Sequence, residues 1–293
     1  MAIDERDTHT GYMTTGHEWN GIKELNTPVP RVVYFFLIVT ALFAFSYWIL
    51  MPAWPLGLTY TKGLLGIDQR TTVMESLQQA ALQREPWTRR IGTESYQAVQ
   101  ADPNLMTNVR QTGRTLFGDN CAACHGFNAK GGKGFPDLTT ASWLWGGDPE
   151  TIEETIRVGI NSTHPKTRMG QMLAFGRDRM LQPADVDNVV GYVQSLSDSA
   201  AASRIPPATL AAGKATFAAT CSACHGDDGK GKRDVGAPDL TDKHSIYGSD
   251  AQSILTSVWS GRQGFMPSWE GRLSTTDRKI LTLYLLDLRS PGR

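Results

Sequence analysis

All four cysteines of this 293-residue chain fall in two copies of one pentapeptide, Cys121-Ala122-Ala123-Cys124-His125 and Cys221-Ser222-Ala223-Cys224-His225, set one hundred residues apart. The spacing lets two sulfurs and one imidazole reach a single macrocycle from one turn of backbone. C-x-x-C-H is the pattern of covalent c-type haem attachment, in which the thiols add across the porphyrin vinyl groups and the adjacent imidazole becomes the proximal iron ligand. No cysteine is left for a disulfide or a thiolate cluster. The expected cofactors are therefore two haems c, attached through Cys121, Cys124, Cys221 and Cys224, with His125 and His225 on the irons.

A second feature is the uncharged run from Val32 to Thr61. Its core, Val32 to Met51, supplies the roughly 20 apolar residues needed to cross a bilayer as a helix. Tyr34 lies near one end and Tyr47, Trp48 and Trp54 near the other, where amphipathic rings settle among headgroups. Pro52 and Pro55 stop the helix. About thirty polar residues precede the run without a cationic leader, which argues against a cleavable signal peptide. The expected anchor is a single transmembrane helix over 32–54. Basic residues flank both ends, Lys23 and Arg31 before and Lys62 and Arg70 after, so loop charge does not orient it. Covalent haem attachment takes place outside the bacterial inner membrane, so 1–31 is expected in the cytoplasm and the haem portion in the periplasm.

The formal net charge is zero, which leaves no electrostatic footprint of a nucleic-acid binder. Residues 199–293 are mildly basic, with 12 basic against 9 acidic residues.

The repeat extends beyond the two pentapeptides. Gly113 and Phe117 precede the first as Gly213 and Phe217 precede the second, and Phe135-Pro136-Asp137-Leu138 answers to Ala237-Pro238-Asp239-Leu240. Ile152, Ile156 and Gly159 correspond to Ile254, Val258 and Gly261, a helical pair closed by glycine. Each copy ends in an amphipathic helix with a tyrosine, Pro183 to Leu196 with Tyr192 and Ser274 to Arg289 with Tyr284. This order resembles the small class I cytochrome c domain. The fold class expected is all-α: one N-terminal transmembrane helix, then two tandem class I cytochrome c domains at 106–198 and 199–293. Residues 55–105 form a partly helical linker, helical over Thr71 to Gln83 and interrupted by Pro86, Gly92 and Pro103. The resemblance also implies that Gly113 and Gly213 permit close helix crossings, placing Phe117 near Tyr192 and Phe217 near Tyr284.

The sixth iron ligand separates a carrier from a catalyst, because a thioether closes the site that oxygen or peroxide would otherwise take. In the second copy Met266 is the sole methionine and is expected to serve the second haem. In the first copy Met169, Met172 and Met180 compete, with His164 as a bis-imidazole alternative; Met172 is preferred because it matches the register of Met266. Pro136 and Pro238 resemble the cytochrome c proline whose carbonyl accepts the proximal imidazole proton. Arg168, Arg177, Arg262 and Arg272 are candidate partners for haem propionates. No nucleophile elbow or phosphate loop is present, and all cysteines are taken, so hydrolytic chemistry finds no support.

The whole layout resembles the dihaem, membrane-anchored subunit III of cbb3-type cytochrome c oxidases. The match includes Gly16 to Arg31 before the apolar run and Met51-Pro52-Ala53-Trp54-Pro55 after it, segments with no haem role. Leu173 stands where such chains carry a proline after the first-copy methionine. The resemblance implies electron transfer without bond-making on this chain. Electrons would pass from a cytochrome c or bc1 donor, through the two haems, to the monohaem c subunit and the catalytic haem–copper subunit, with the span in the lipid bilayer and no nucleic acid involved. Two other readings are a free-standing membrane-anchored dihaem cytochrome similar to cytochrome c4, and a dihaem peroxidase with one open iron.

Overall fold

A computed structural model of the chain describes residues 5–289. It divides into two compact units, Met1–Gln83 and Arg84–Arg293.

In the first unit, β1 (Thr14–Trp19) and β2 (Ile22–Leu25) pair antiparallel, with Trp19 opposite Ile22. The turn between them is Asn20-Gly21, both at positive φ, which is the two-residue chemistry that a tight hairpin demands. This hairpin is an addition to the all-α expectation. It is followed by α1 (Arg31–Leu50), a 20-residue helix with a mean hydropathy of 2.2 and no buried side chain. It is long and apolar enough to cross a membrane. The helix ends at Leu50, four residues short of the expected limit. Met51 is extended (φ −110°, ψ 161°) because Pro52 disfavours a helical conformation in the residue before it.

Helix α2 (Gln69–Thr93) corrects the linker expectation, since it runs unbroken through Pro86 and Gly92. A proline inside a helix removes one donor and crowds the preceding turn. Here the carbonyl deprived of a partner belongs to Leu82, on the solvent side. Thr88 Oγ1 donates to the carbonyls of Arg84 and Glu85, which occupies the same turn.

The second unit continues through α3 (Tyr96–Ala101), α4 (Pro103–Asn120), α5 (Ala122–His125), α6 (Pro149–Val158), α7 (Pro183–Ser197) and α8 (Ser199–Ala202). There follow α9 (Pro207–Thr216), a π-helical turn (Phe217–Cys221), α10 (Ser222–His225), α11 (Ala251–Ser260) and α12 (Thr275–Arg289). The helix starts follow local chemistry. Asp102, Asp148 and Asp250 cap α4, α6 and α11 through their carboxylates, and prolines occupy the first turn of α4, α6, α7 and α9, where no donor is needed. Ser274 and Asp277 form the reciprocal box that starts α12.

Packing does not follow the order of the repeat. One core gathers α4 and α6 around α12, with Phe117, Ile152, Ile156, Ile280, Leu283 and Tyr284 buried together. The other gathers α9 and α11 around α7, with Val186, Val189, Phe217 and Val258. The two terminal helices are exchanged between the copies. A Cβ on Gly113 would lie 2.6 Å from Tyr284 Cβ, and one on Gly213 would lie 2.1 Å from the Asn188 carbonyl oxygen of α7. Phe117 meets Tyr284 at 6.0 Å between ring centroids, and Phe217 meets Tyr192 at 5.4 Å. The pairing expected from the resemblance, Phe117 with Tyr192 and Phe217 with Tyr284, is thus reversed. The copies carry the same glycine and aromatic at the same positions, so either partner satisfies the same contact type; exchange of equivalent elements costs little locally.

The exchange happens at a pair of antiparallel backbone bridges. Met172 and Arg262 trade N–H···O bonds of 2.8 and 3.0 Å, and Met266 and Ile160 trade two of 2.9 Å. Gly159 (φ +71°) and Gly261 (φ +70°) end α6 and α11 here. A Cβ on either would strike the carbonyl oxygen of the opposite methionine, at 2.4 Å for Met266 and 2.5 Å for Met172. Only glycine accommodates both the left-handed backbone and that approach. Asn161, itself at φ +49°, ties the crossing strands: its Nδ2 donates to the Gly170 carbonyl at 2.8 Å and to the Gly264 carbonyl at 2.7 Å, and its Oδ1 accepts from Gly170 N–H at 3.2 Å.

Gly213→Ala is expected to force α7 off α9 and to cost about 1–3 kcal/mol, read as a lowered thermal midpoint; an unchanged midpoint would mean that the two helices do not cross so closely. Asn161→Gly keeps the backbone conformation but removes the three side-chain bonds, and the expected cost is again about 1–3 kcal/mol. Denaturant unfolding measures it.

Candidate haem-binding sites

Each pentapeptide sits at the same point of its copy, where a long helix gives way to a short one. α4 ends at Asn120 and α5 begins at Ala122, while the π-helical turn after α9 runs into α10. In each pentapeptide the first cysteine, just before the short helix, is half-buried and the second, within it, is exposed, so the two thiols grade from core to surface. Burial pushes the Cys121 and Cys221 thiols up to about 11, with Cys124 and Cys224 adding a smaller repulsion. They are held as thiols rather than as reactive thiolates.

The imidazoles are fixed by the proline carbonyls. His125 Nδ1 lies 3.3 Å from the Pro136 carbonyl oxygen, and His225 Nδ1 lies 3.2 Å from that of Pro238. A carbonyl can only accept, so Nδ1 carries the proton and Nε2 keeps its lone pair. Burial lowers both imidazole pKa values, against a smaller opposing effect from the carbonyl bond, and favours the neutral ring that a metal requires. The proline carbonyls are set in place by glycines. A Cβ on Gly131 would lie 2.3 Å from the Phe135 carbonyl oxygen and 2.5 Å from that of Pro136; Gly231 approaches the Ala237 carbonyl equally closely. Gly131 and Gly231 also donate to the carbonyls of His125 and His225, both at 2.8 Å. Close backbone approach at these glycines therefore orients the histidine support.

The distal candidates separate clearly. Met169 and Met180 are exposed, at 69% and 52%, whereas Met172 and Met266 are half-buried and packed on the two cores. His164 is engaged by Glu270, 2.8 Å from its Nε2, in a surface pair. The partnership is not the expected one. Met266 packs in the core that contains Cys121, and Met172 packs in the core that contains Cys221. The sequence expectation set Met172 with the first pentapeptide and Met266 with the second; in the structure each packs in the core of the other pentapeptide.

Two of the four candidate arginines share one arrangement, an aromatic ring under the guanidinium and a helix hydroxyl on its Nε. Arg168 stacks over Trp145 at 5.3 Å and its Nε donates to Thr155 Oγ1 at 2.8 Å; Arg262 stacks over Tyr247 at 4.3 Å and its Nε donates to Ser257 Oγ at 2.9 Å. Burial lowers the Arg168 pKa. Arg177 pairs with neighbouring Asp178 at the surface, and Arg272 lies over Trp269. The supporting residues Trp145, Tyr247, Thr155 and Ser257 were not singled out in the sequence. Each aromatic stands four residues before its helix, and each hydroxyl lies on that helix six residues after the helix begins, a register that could have found them.

The donor set fits a haem c in each copy. Two thiols and a neutral, oriented imidazole come from one turn, and a half-buried thioether packs in the same core. Among the described residues no other cluster of histidine, cysteine and carboxylate suits a metal ion.

Comparison with known proteins agrees along the whole chain. Residues 11–57 match the N-terminal domain of cytochrome oxidase-cbb3, FixP; residues 111–197 match cytochrome c; residues 208–285 match cytochrome c oxidase, cbb3-type, subunit III. The chain is 46% identical over 284 residues, 97% of each chain, to the cbb3-type cytochrome c oxidase subunit FixP of Bradyrhizobium sp. (strain ORS 278). It is 39% identical to the subunit CcoP of Azospirillum sp. (strain B510), covering 98% of this chain and 99% of that one. The CcoP of Cereibacter sphaeroides is 39% identical over 93% of each. With one apolar N-terminal helix ahead of two cytochrome c domains that bind haem c, the chain belongs to the family of membrane-anchored, electron-transferring FixP/CcoP subunits of cbb3-type cytochrome c oxidase.

Proposed function

We propose that the chain relays electrons through two six-coordinate haems and performs no bond-making of its own. One observation carries this reading: each core sets a half-buried methionine beside the first cysteine of one pentapeptide, and that pentapeptide carries a carbonyl-oriented imidazole, so each iron would find two ligands from this chain. The haem supplies a reversible one-electron change at iron; a thioether on the distal face raises the potential and closes the position that a gas would occupy.

The residues then have distinct tasks. Cys121 and Cys124, and Cys221 and Cys224, fix the porphyrins covalently. His125 and His225 bind iron through Nε2, with ring orientation set by the carbonyls of Pro136 and Pro238. Met172 and Met266 supply the distal sulfurs. Arg168 and Arg262, stacked and partly desolvated, meet propionates. The surrounding cores hold this geometry in both oxidation states, so little has to move when an electron arrives.

Electrons enter from a cytochrome c or the bc1 complex and leave toward the monohaem and catalytic haem–copper subunits. α1 holds the relay beside those partners in the bacterial inner membrane, with the N-terminal segment cytoplasmic and the haem portion periplasmic. Oxygen reduction and proton movement belong to the catalytic partner.

Extraction of the tagged chain from its native membrane in mild detergent is expected to bring down copper and haem b in fixed ratio, measured by metal analysis and pyridine haemochrome spectra. Recovery of the chain alone would favour a free-standing dihaem cytochrome. Carbon monoxide added to the reduced, isolated chain should leave its spectrum unchanged. A bound carbonyl complex would reveal an open iron and favour a peroxidase-type site.

A further inference from the structure

We propose that residues 52–65, directly after α1, form a second membrane contact: an apolar loop seated in the surface of the bilayer at the level where α1 ends, with phospholipid as its partner. This rests on the reading of α1 as a membrane span and adds what lies against the segment that follows it.

The composition of this loop runs against its place in the fold. Tight surface turns favour glycine, asparagine, aspartate and serine, yet this one reads Trp54-Pro55-Leu56-Gly57-Leu58-Thr59-Tyr60. Pro55 and Tyr60 form an antiparallel bridge, and Leu56 N–H donates to the Thr59 carbonyl at 2.6 Å, so Gly57 (φ +85°) and Leu58 stand at the tip. Leu58 is fully exposed there. Trp54, Leu56, Tyr60, Leu64 and Leu65 are exposed as well. Between Arg31 and Asp68 the one charged side chain is Lys62. A run of exposed apolar side chains on this scale marks a surface that something covers.

The backbone holds the loop at the depth of the helix end. The last carbonyls of a helix have no partner within it, and in lipid an unsatisfied carbonyl is costly. Here the returning chain supplies the donors. Leu64 N–H donates to the Ile49 carbonyl at 2.9 Å and Leu65 N–H to the Leu50 carbonyl at 3.1 Å. Gly63 (φ +69°) passes so near that a Cβ there would strike the Leu50 carbonyl oxygen. The loop is therefore strapped to the terminus of α1 and cannot lift away from it. A helix of 20 residues spans about 30 Å, the thickness of the hydrocarbon core. Its last turn lies at the edge of that core, and the strapped residues lie there with it.

The loop also satisfies its own polar groups. Thr61 Oγ1 accepts from Trp54 N–H at 3.0 Å and from Ala53 N–H at 3.4 Å, and Thr61 N–H donates to the Trp54 carbonyl at 2.9 Å. Pro52 and Pro55 bring no donor. Each pairing lowers the cost of taking the loop out of water.

The side chains suit a headgroup boundary better than a protein face. Trp48 and Trp54 pack with ring centroids 4.9 Å apart, and rings that carry a polar atom settle at that level. Exposed Lys62 can lay its methylenes along acyl chains and set its ammonium among phosphates. The exposed apolar residues continue those of α1, which buries no side chain, and they stop where Asp68 accepts from Arg70 N–H at 2.9 Å to start α2. With both helix and loop in the bilayer, rotation about the axis of α1 is restrained, and so is the direction in which the chain leaves the membrane.

The test uses the full chain in its native membrane, with Leu58 replaced by photoactivatable benzoylphenylalanine; a fully exposed side chain can be exchanged without disturbing the fold. After irradiation the chain is solubilised, digested and weighed. The expected result is the gain of one phospholipid mass on the peptide with residue 58. A cross-link to another protein that outweighs the lipid adduct, or the absence of both adducts, overturns the proposal. The same probe in place of Ala41, midway along α1, separates the two readings. Cross-links to lipid or to a neighbouring subunit are expected there, and recovery of neither would defeat the membrane span itself rather than the seating of the loop.

Discussion

The crossing of α12 over α4 at Gly113, and its counterpart of α7 over α9 at Gly213, is the contact on which the rest of the haem portion depends. With no side chain at either glycine, Tyr284 and the Asn188–Tyr192 turn come within direct backbone contact of the facing helix. That approach brings Phe117 and Phe217 to full burial, and loss of a buried phenylalanine side chain of this kind typically costs about 3–5 kcal/mol. It also fixes where the methionine loops descend. A small domain buries only about 60–70% of its unfolded surface, so a cytochrome of this size relies on its porphyrin for much of its core. Here each small core borrows a helix from the other copy as well.

The two sites are built on one plan, repeated to the level of single hydrogen bonds. A glycine presses against a carbonyl, the next proline carbonyl holds an imidazole, an arginine lies on an aromatic ring, and a hydroxyl on the following helix holds that arginine. The asymmetry lies in the crossover. The first copy carries a longer stretch between α6 and its methionine, and the surplus closes on itself through Asn161 and Arg168. Asn161 uses that closed turn to hold both crossing strands. The tie keeps the two methionine loops in register with each other.

Much of the chemistry was legible in the residues. C-x-x-C-H has one physical meaning at that spacing, and the proline carbonyl contacts to His125 and His225 fall where the repeat placed them. The apolar run declared a membrane-length helix, and Pro52 accounts for its stop. Other features were harder to see. Pro86 marked an interruption by local rule, yet the helix passes through it because the orphaned carbonyl faces solvent. The Asn20-Gly21 hairpin was readable from turn chemistry but lacked the strand alternation that would have announced it.

Sequence alone determined that this chain carries two cytochrome c copies behind a membrane-length apolar helix, and which types of side chain approach each haem. Those conclusions rest on local spacing and composition, which a linear string records. Only the tertiary structure decided that the copies trade their final helices and methionine loops. When two copies carry the same glycine, the same aromatic and the same methionine, intact and exchanged partners satisfy identical local patterns. The choice between them lies in contacts that no single copy contains: the Asn161 tie, the paired bridges at Met172 and Met266, and the ion pair that holds Asp287 to Arg110.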